Sequence, residues 1–240
     1  TRNNTKPSTR NAKPQTPNNK RMNKTGFIFD LDGVIVDTAK YHYKAWKVLA
    51  DQLGIPFSKE KNEQFKGVSR KRCLELLLEW GNIKATPEQS EEWMAEKNRD
   101  YLAYIDKMDE SEILPDVSRI LQYLKLHHMP MAVGSASKNA IPILEKVKLL
   151  PYFDFVVDGT QVTKAKPDPE VFLIAANKLG VAPTNCVVFE DAVAGVEAAN
   201  TAGMTSIGIG DEQILSHADY VFRDFTDIDF EFIAELSDRS

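Results

Sequence analysis

Short apolar runs recur along the chain, and each stops at a polar or glycine-containing segment. They occupy residues 26–31, 131–134, 155–157, 187–189, 206–209 and 220–222. Stretches with helical periodicity, near 116–128, 138–148, 169–180 and 192–202, alternate with these runs. Strands that alternate with helices at this spacing predict an α/β fold, a doubly wound parallel sheet of the Rossmann-like kind. Right-handed crossovers place the carboxyl ends of the strands along one edge, where such sheets bind ligands.

Residues 39–110 interrupt this alternation. Apolar positions recur there at helical spacing, as at Ala45, Trp46 and Leu49, and no segment has the pattern of a strand. We therefore expect an inserted α-helical cap domain above the strand edge. The predicted division is a basic tail over residues 1–24, an α/β core over 25–38 and 111–240, and the cap over 39–110.

The first 24 residues differ in composition from the rest. They carry seven basic residues and no acidic one, and Ala12 and Met22 are their only apolar side chains. Such a segment cannot bury enough surface to offset the entropy of ordering, so we expect a disordered tail, with Met22 as the natural start. A nucleic-acid-binding arm is the alternative. The rest of the chain has 23 basic and 35 acidic residues, and a protein surface this acidic repels polyanions, so nucleic-acid binding is not expected.

Composition excludes several further classes of protein. Hydrophobic residues make up 42% of the chain, enough for a buried core, yet no stretch approaches the ~20 apolar residues of a membrane span. Cys73 and Cys186 fit neither a zinc motif nor a disulfide scaffold. We expect a cytoplasmic, monomeric protein that binds small molecules and neither nucleic acid nor membrane.

Two aspartates follow the first predicted strand. Alternate residues beyond a strand end can direct the carboxylates of Asp30 and Asp32 to one place, and Gly33 permits a tight turn. Carboxylates this close repel each other unless a cation or a proton lies between them. Beside a divalent cation, one carboxylate can attack phosphorus while its neighbour protonates the leaving oxygen. A polar turn with a capping aspartate is the alternative.

A second acidic pair, Glu190 and Asp191, follows the predicted strand at 187–189. Gly195 and nearby alanines then predict a helix packed closely on the sheet. Oxygen ligands at two strand tips favour Mg²⁺, which often keeps a substrate phosphate among its ligands. Capping of the helix start by the two carboxylates is the alternative.

Candidate phosphate-binding groups follow two other elements. The first set is Ser135, Ala136, Ser137, Lys138 and Asn139, after the predicted strand at 131–134. Hydroxyl groups there, near a helix start, can donate to a phosphate oxygen, although either serine could be a helix cap. Lys166, restricted by the proline after it, could neutralise a phosphoryl group or the crowded aspartates.

The order of these segments resembles the four motifs of the haloacid dehalogenase superfamily of aspartyl-phosphate enzymes, over residues 26–210. The helical insertion resembles that of members with a small α-helical cap. The resemblance implies that Asp30 is the nucleophile and Asp32 the general acid/base, and that Ser135 and Lys166 bind the transferring phosphoryl group. It also implies Mg²⁺ ligands, which are Asp30, the Asp32 carbonyl oxygen, Glu190 and Asp191.

Within the superfamily, five segments resemble the β-phosphoglucomutase family. They are FDLDGVIVDTAKYHYKAW, FKGVSRK, GSASKN, KPDPEVF and FEDAVAGVEAA. This resemblance implies interconversion of β-D-glucose 1-phosphate and glucose 6-phosphate through an aspartyl phosphate and β-glucose 1,6-bisphosphate. A sugar- or polyol-phosphate phosphatase of the same fold and a non-catalytic phosphosugar-binding protein are the alternatives.

The segment that best separates a mutase from a phosphatase lies in the cap. It consists of Lys66, Gly67, Val68, Ser69 and Arg70. An arginine in a cap loop that faces the core can hold a second phosphate bidentately while the first one reacts, together with Ser137, Lys138 and Asn139. An ordinary exposed loop before a helix capped by Ser69 is the alternative.

Further cap residues are implied by the same resemblance. Thr38 and His42 have helical i, i+4 spacing and would lie at the hinge, where His42 helps to position the acid/base carboxylate. A capping threonine and a surface histidine are the alternative. Trp46 lies on the same helix face, in core packing or near the sugar. Lys97 and Asn98 match residues that face the closed site, and Lys97 is expected to bond near His42.

Overall fold

The computed structural model describes residues 24–65 and 68–237. The predicted basic tail, apart from Lys24, and the predicted cap residues Lys66 and Gly67 therefore lie outside the described residues. Within the described ranges, every helix is too short or too polar to span a lipid bilayer.

Six strands of the described chain form one parallel sheet. They are β1 (Gly26–Phe29), β2 (Met131–Gly134), β3 (Phe155–Val157), β4 (Cys186–Glu190), β5 (Thr205–Ile209) and β6 (Tyr220–Phe222). Their order is β3-β2-β1-β4-β5-β6, and every neighbouring pair is parallel. The sheet grows from β1 in one direction and from β4 in the other, which confirms the predicted doubly wound α/β fold. Strand β1 ends two residues before the predicted run does.

The helices between β1 and β2 are α1 (Ala39–Gln52), α2 (Lys59–Glu63), α3 (Arg70–Gly81), α4 (Pro87–Ile105) and α5 (Val117–Leu126). The later ones are α6 (Ala140–Lys146), α7 (Glu170–Leu179), α8 (Val193–Thr201) and α9 (Phe230–Ser237). Helices α5 to α8 lie where the periodicity predicts them. Helix α9 was not predicted, although Ile233 and Leu236, both buried, have the i, i+3 spacing that could have identified it.

The two faces of the sheet carry separate parts of the core. Phe27 and Phe29 point to the face covered by α5, α6 and α9. Ile28, between them, points to the face covered by α7 and α8. This alternation follows from the two-residue period of a strand. Phe29 stacks on Phe189 of the neighbouring strand, with ring centroids 4.7 Å apart, so β1 is fixed in the centre of the sheet.

Helices α1 to α4 have a hydrophobic cluster of their own. Trp46 and Leu49 of α1 pack there with Leu74 and Leu77 of α3, and all four side chains are buried. Local signals set the helix starts: a capping box precedes α4, and the Ser69 hydroxyl accepts a hydrogen bond at the start of α3. The helical insertion is therefore present, while the domain boundaries at 38 and 110 stay a prediction.

Two chain segments connect this insertion to the sheet, and they run side by side. The Asp37 amide donates to the Glu112 carbonyl oxygen at 3.0 Å, and the Leu114 amide donates to the Ile35 carbonyl oxygen at 3.0 Å. Val36 and Ile113 form an antiparallel bridge between these bonds. The segments are thus joined as a short ribbon directly after β1.

Candidate active site

The first acidic pair and the second meet at one crevice of the sheet. Strands β1 and β4 are neighbours, and the direction of strand addition reverses between them. Open α/β sheets bind ligands at the carboxyl ends of such strands. Asp30 follows β1, and its amide donates to the Phe189 carbonyl oxygen of β4 at 2.9 Å. Glu190 ends β4 and Asp191 follows it.

A cleft of about 1330 Å³ lies between this sheet edge and helices α1 to α4. The sequence-predicted residues that line it are Asp30, Asp32, His42, Trp46, Val68, Ser69, Arg70, Lys97, Ser135, Ala136, Ser137, Lys138, Lys166 and Asp191. Three other predicted residues, Thr38, Asn139 and Glu190, are buried and bond to residues of this lining. Asn98 of α4 bonds to Asn139.

Lys166 connects the two acidic pairs. Its Nζ lies 2.6 Å from Asp30 Oδ1 and 2.7 Å from Glu190 Oε2, and it donates to the Gly134 carbonyl oxygen at 3.2 Å. Burial alone would lower the pKa of Lys166, but the carboxylates of Asp30 and Glu190 outweigh it and raise that pKa above its usual value. Lys166 is therefore a permanent cation beside the candidate nucleophile.

Three carboxylates at the crevice suit a divalent cation. Oxygen atoms of Asp30, Glu190 and Asp191 lie within 4.8 Å of one another. Burial, together with the charges of Asp30 and Asp191, raises the pKa of Glu190, and a cation among these oxygens would favour its ionised form. A donor set made only of carboxylate oxygens fits a hard cation such as Mg²⁺ or Ca²⁺.

Two glycines leave room for these carboxylates. A Cβ on Gly33, whose φ is +88°, would lie 2.2 Å from Asp191 Oδ2. A Cβ on Gly195 of α8 would lie 2.0 Å from Glu190 Cδ. Neither distance is possible for a real side chain, so both positions require glycine for close approach to the acidic cluster.

Asp32 lies in a different environment from Asp30. It accepts a hydrogen bond from the Thr38 hydroxyl. Burial in the cleft, and then the nearby charge of Asp30, raise the pKa of Asp32 to about 6. A carboxyl group with this pKa can both accept and return a proton near neutral pH, which suits a general acid/base.

Thr38 occupies the cap position of α1, but its side chain makes no capping hydrogen bond. The hydroxyl donates to Asp32 instead, and the side chain is fully buried. The capping role offered as the alternative for Thr38 is therefore not observed, and its bond to Asp32 was not predicted. The positioning of Asp32 by His42 stays a prediction.

His42 contributes a neutral ring to the cleft. Lys97 Nζ lies 3.0 Å from His42 Nδ1, within hydrogen-bond distance. Nε2 lies 3.9 Å from Asp32 Oδ2, beyond hydrogen-bond distance. Burial, and then the positive charges of Lys97 and Arg70, hold the pKa of His42 well below its usual value. The pair of His42 and Asp32 is thus not an ion pair at neutral pH.

Lys97 is a buried amine among aromatic rings. Its Nζ lies 5.0 Å from the ring centre of Trp46 and 4.6 Å from that of Tyr101. Burial, and then the charge of Arg70, lower the pKa of Lys97 to about 7. Trp46 itself is buried and packs edge-on against Phe65, so its main contacts are with the cap.

The segment after β2 is folded by its own side chains. Ser135 Oγ accepts from the Ser137 amide at 3.1 Å, and Ser137 Oγ accepts from the Asn139 amide at 3.2 Å. Asn139 Nδ2 donates to Asn98 Oδ1 at 3.0 Å, a direct bond between the core and α4. The predicted phosphate-binding residues therefore lie at the contact between sheet and cap.

Arg70 lies on the cap side of the cleft. It is the first residue of α3 and not part of a loop, because Ser69 caps the helix by accepting from the Arg72 amide at 3.3 Å. Burial lowers the pKa of Arg70 from its usual value. Within the described residues, no carboxylate forms an ion pair with Arg70. Val68, beside it, is partly buried against the cap cluster.

Tyr101, which packs beside the site, was not predicted. It is fully buried, and its ring centre lies 4.2 Å from that of His42. Burial, and then the charge of Asp32, raise the pKa of its hydroxyl well above the usual value. Its i, i+4 spacing from Lys97 on a helix could have indicated that the two share a face.

Comparison with known proteins places this geometry in a family. A family model described as haloacid dehalogenase-like hydrolase matches residues 24–203. The β-phosphoglucomutase of Bacillus subtilis is 43% identical over 210 residues, which are 87% of this chain and 93% of that protein. The fructose-1-phosphate phosphatase of Escherichia coli is 35% identical over 77% of this chain and 95% of its own length.

A solved structure supports the same assignment. The crystal structure of the β-phosphoglucomutase of Clostridium difficile superposes with a TM-score of 0.85 and 41% identity, over 88% of this chain and 96% of that one. The family expected from the order of the four motifs is thus confirmed. The chain belongs to the haloacid dehalogenase-like hydrolase family.

Proposed function

We propose that this protein interconverts β-D-glucose 1-phosphate and glucose 6-phosphate through an aspartyl phosphate and β-glucose 1,6-bisphosphate. The likeness to β-phosphoglucomutases of two bacteria supports this reaction. The site residues support it further, because a buried nucleophile, a titratable carboxyl group and separate cationic groups line one cleft.

In the first half-reaction, a sugar hydroxyl attacks the phosphorus of phosphorylated Asp30. Asp32 accepts the hydroxyl proton, and the bond between phosphorus and the Asp30 oxygen breaks, which leaves the free Asp30 carboxylate and the bisphosphate. Lys166 offsets the charge on the transferring group, since its Nζ lies 2.6 Å from Asp30 Oδ1. Ser135 would donate to the same group.

In the second half-reaction, the bisphosphate binds in the opposite orientation. Asp30 attacks the other phosphorus, and Asp32 returns its proton to the leaving sugar oxygen. The same two carboxylates thus serve both directions, and the pKa of Asp32, raised to about 6 by burial and then by Asp30, suits both roles. His42 and Lys97, above Asp32, would exclude water that otherwise hydrolyses the aspartyl phosphate.

Mg²⁺ is the cation that we propose for the acidic cluster. Asp30, Glu190, Asp191 and the Asp32 carbonyl oxygen would hold it. When bound, it would offset the negative charge of the transferring phosphoryl group.

The position of Arg70 is the observation that favours a mutase over a phosphatase. Arg70 lines the cleft from the cap, and no carboxylate of the described residues forms an ion pair with it. Lys166 and Ser135, on the core side, suffice for one phosphate. A cleft with a second cationic group at its cap end suits a substrate that carries two phosphates, and a monophosphatase does not bind such a substrate.

Arg70→Ala tests this proposal. The substitution removes a charge-assisted contact worth roughly 1.5–3 kcal/mol, so the kcat/KM for glucose 6-phosphate formation should fall roughly 10- to 100-fold. Phosphorylation of Asp30 by acetyl phosphate should change little, because that reaction has no second phosphate. Both rates are measured with Mg²⁺, and the mutase assay includes a trace of the bisphosphate.

Arg72→Ala is the matched control, since Arg72 is on the same helix and pairs with Glu75 and Glu79 on the surface. Equal losses in both reactions of Arg70→Ala would show that Arg70 supports the cap fold and would remove the argument for a mutase. Release of free phosphate as the main wild-type product would favour the sugar-phosphate phosphatase.

A further inference from the structure

Lys166 is a buried residue in an exposed segment. The lysine is 6% exposed, whereas Thr163, Lys164 and Ala165 before it and Pro167 after it are exposed. Apolar packing therefore does not fix the backbone that carries the lysine. Its amine must nevertheless reach both Asp30 and Glu190, so polar contacts have to fix this segment.

Glu170, at the start of α7, supplies those contacts. Its Oε2 accepts from the Lys164 amide at 2.6 Å and from the Thr163 amide at 2.8 Å. Its Oε1 accepts from the Thr163 hydroxyl at 3.0 Å. One carboxylate thus gathers three donors from the two residues that lie just before Ala165 and Lys166.

Hydrogen bonds also fix the segment on the carboxyl-terminal side of Lys166. Asp168 Oδ1 accepts from the Glu170 amide at 3.0 Å, and the Asp168 amide donates to the Ala165 carbonyl oxygen at 3.0 Å. Residues 163–170 therefore form a closed loop with Lys166 inside it, and Glu170 takes part in the bonds at both ends.

We infer that Glu170 is a positioning residue for phosphoryl transfer, which acts by holding the 163–170 loop so that Lys166 reaches the transferring phosphoryl group. The inference rests on the proposed function for the role of Lys166. It adds that the geometry of this cation depends on a carboxylate outside the cleft, because Glu170 does not line it.

The charge of Glu170 contributes to its hold on the loop. Hydrogen bonds to a carboxylate are shorter and stronger than those to a neutral acceptor. The hydrogen bond from the Lys164 amide contributes most to lowering the pKa of Glu170 below its usual value. This is expected of a carboxylate that accepts hydrogen bonds from several donors. Its place at the amino end of α7 is also favourable for a negative charge.

The experiment uses fluoroberyllate, formed from beryllium and fluoride salts with Mg²⁺, as an analogue of the phosphoryl group on Asp30. Its dissociation constant is measured in the full-length wild type, Glu170→Ala, Lys166→Ala and the double variant. We expect Glu170→Ala to weaken binding about tenfold, and Glu170→Gln, which keeps one acceptor oxygen, to weaken it less.

The double variant separates positioning from folding. If Glu170 acts through Lys166, Glu170→Ala changes the affinity less than twofold once Lys166 is already alanine. A tenfold loss in both backgrounds, or no loss in either, would overturn the inference. Thermal unfolding of each variant checks that it is folded.

Lys178→Ala is the matched control, because Lys178 lies at the other end of α7 and contacts Gln161 outside the 163–170 loop. It should bind fluoroberyllate like the wild type. The test does not depend on the sugar substrate: wild type that releases phosphate and forms no glucose 6-phosphate would contradict the proposed function, while the comparison of Glu170 with Lys166 would stand.

Discussion

At the scale of single residues, the cleft holds two carboxyl groups and two bases in different surroundings. Asp30 contacts a permanent cation, Lys166, whereas Asp32 accepts a hydrogen bond from the neutral Thr38 hydroxyl and has a pKa raised to about 6 by burial and then by Asp30. His42 is neutral, and Lys97 has a pKa near 7 because it is buried. Neighbouring groups of the same chemical type can therefore take separate roles in one reaction.

Lys97 gives a testable pH dependence of stability. Its pKa is lowered from 10.5 to about 7 by burial, and then by the charge of Arg70, so between these values the unfolded chain binds a proton that the folded protein does not. The free energy of unfolding should therefore rise with pH across this range, by up to about 1.4 kcal/mol per pH unit from this group.

Lys97→Met should remove that rise, because methionine has no proton to bind. Urea unfolding at pH 7 and at pH 9.5 measures the difference in wild type and variant. Lys44→Met, an exposed lysine of α1, is the control and should leave the wild-type slope unchanged. An unchanged slope in Lys97→Met would contradict the lowered pKa.

At the scale of elements, close contact between α8 and β4 fixes the position of Glu190 in the acidic cluster. Gly195 lets the helix approach Glu190, which is fully buried and bonds to Lys166. The Ala192 amide, just before α8, donates to the other oxygen of the same carboxylate at 3.1 Å. The orientation of Glu190 thus depends on the helix as much as on its own strand.

Gly195→Ala should weaken Mg²⁺ binding at least tenfold and also destabilise the protein. Alanine favours an isolated helix by about 1 kcal/mol over glycine, but its Cβ would collide with the Glu190 carboxyl group, and the collision outweighs the propensity. Calorimetric titration with Mg²⁺ and thermal unfolding measure both effects.

Thr201→Ala, a substitution at an exposed position of α8, is the control. A Gly195→Ala variant that is more stable than wild type and binds Mg²⁺ with normal affinity would refute the argument that close approach requires glycine.

At the scale of the whole molecule, the ribbon between core and cap fixes the cap above the cleft. Glu112 of the second connection lies 2.5 Å from both Lys40 Nζ and Tyr41 Oη in the first turn of α1. That turn begins next to Thr38 and includes His42, which lie beside Asp32. Glu112 therefore links the ribbon to the turn of α1 that lies beside Asp32.

Glu112→Ala should loosen the cap. We expect the mutase kcat/KM to fall by about fivefold, equivalent to about 1 kcal/mol for partly screened contacts, and hydrolysis of phosphorylated Asp30 to become faster as water enters. Glucose 6-phosphate and free phosphate are measured in the same reaction.

Lys47→Ala is the control, because it removes a surface ion pair with Asp51 and should behave like wild type. Unchanged hydrolysis in Glu112→Ala would show that Glu112 does not control how the cap shields the cleft from water.

The sequence by itself determined the elements and the residue types at the site. Alternating apolar runs and helical periods are local patterns, so the α/β fold, four of the core helices and the helical insertion could be predicted from them. Acidic residues directly after two strands indicated the crevice, because parallel strands end at one edge. Helix α9 and Tyr101 were missed although their spacing carried a signal.

Only the tertiary structure decided the geometry of the contacts between these residues. Lys166 bonds to Asp30, 136 positions away. The contact of Lys97 with His42, 55 positions away, was expected from the family resemblance alone and is present at 3.0 Å. The bond of Thr38 to Asp32, in place of a helix cap, was likewise seen only once the fold brought the two residues together. The reason is physical: helix and strand periods depend on near neighbours, whereas burial, charge and hydrogen bonding at the cleft depend on side chains that only the folded chain brings into contact.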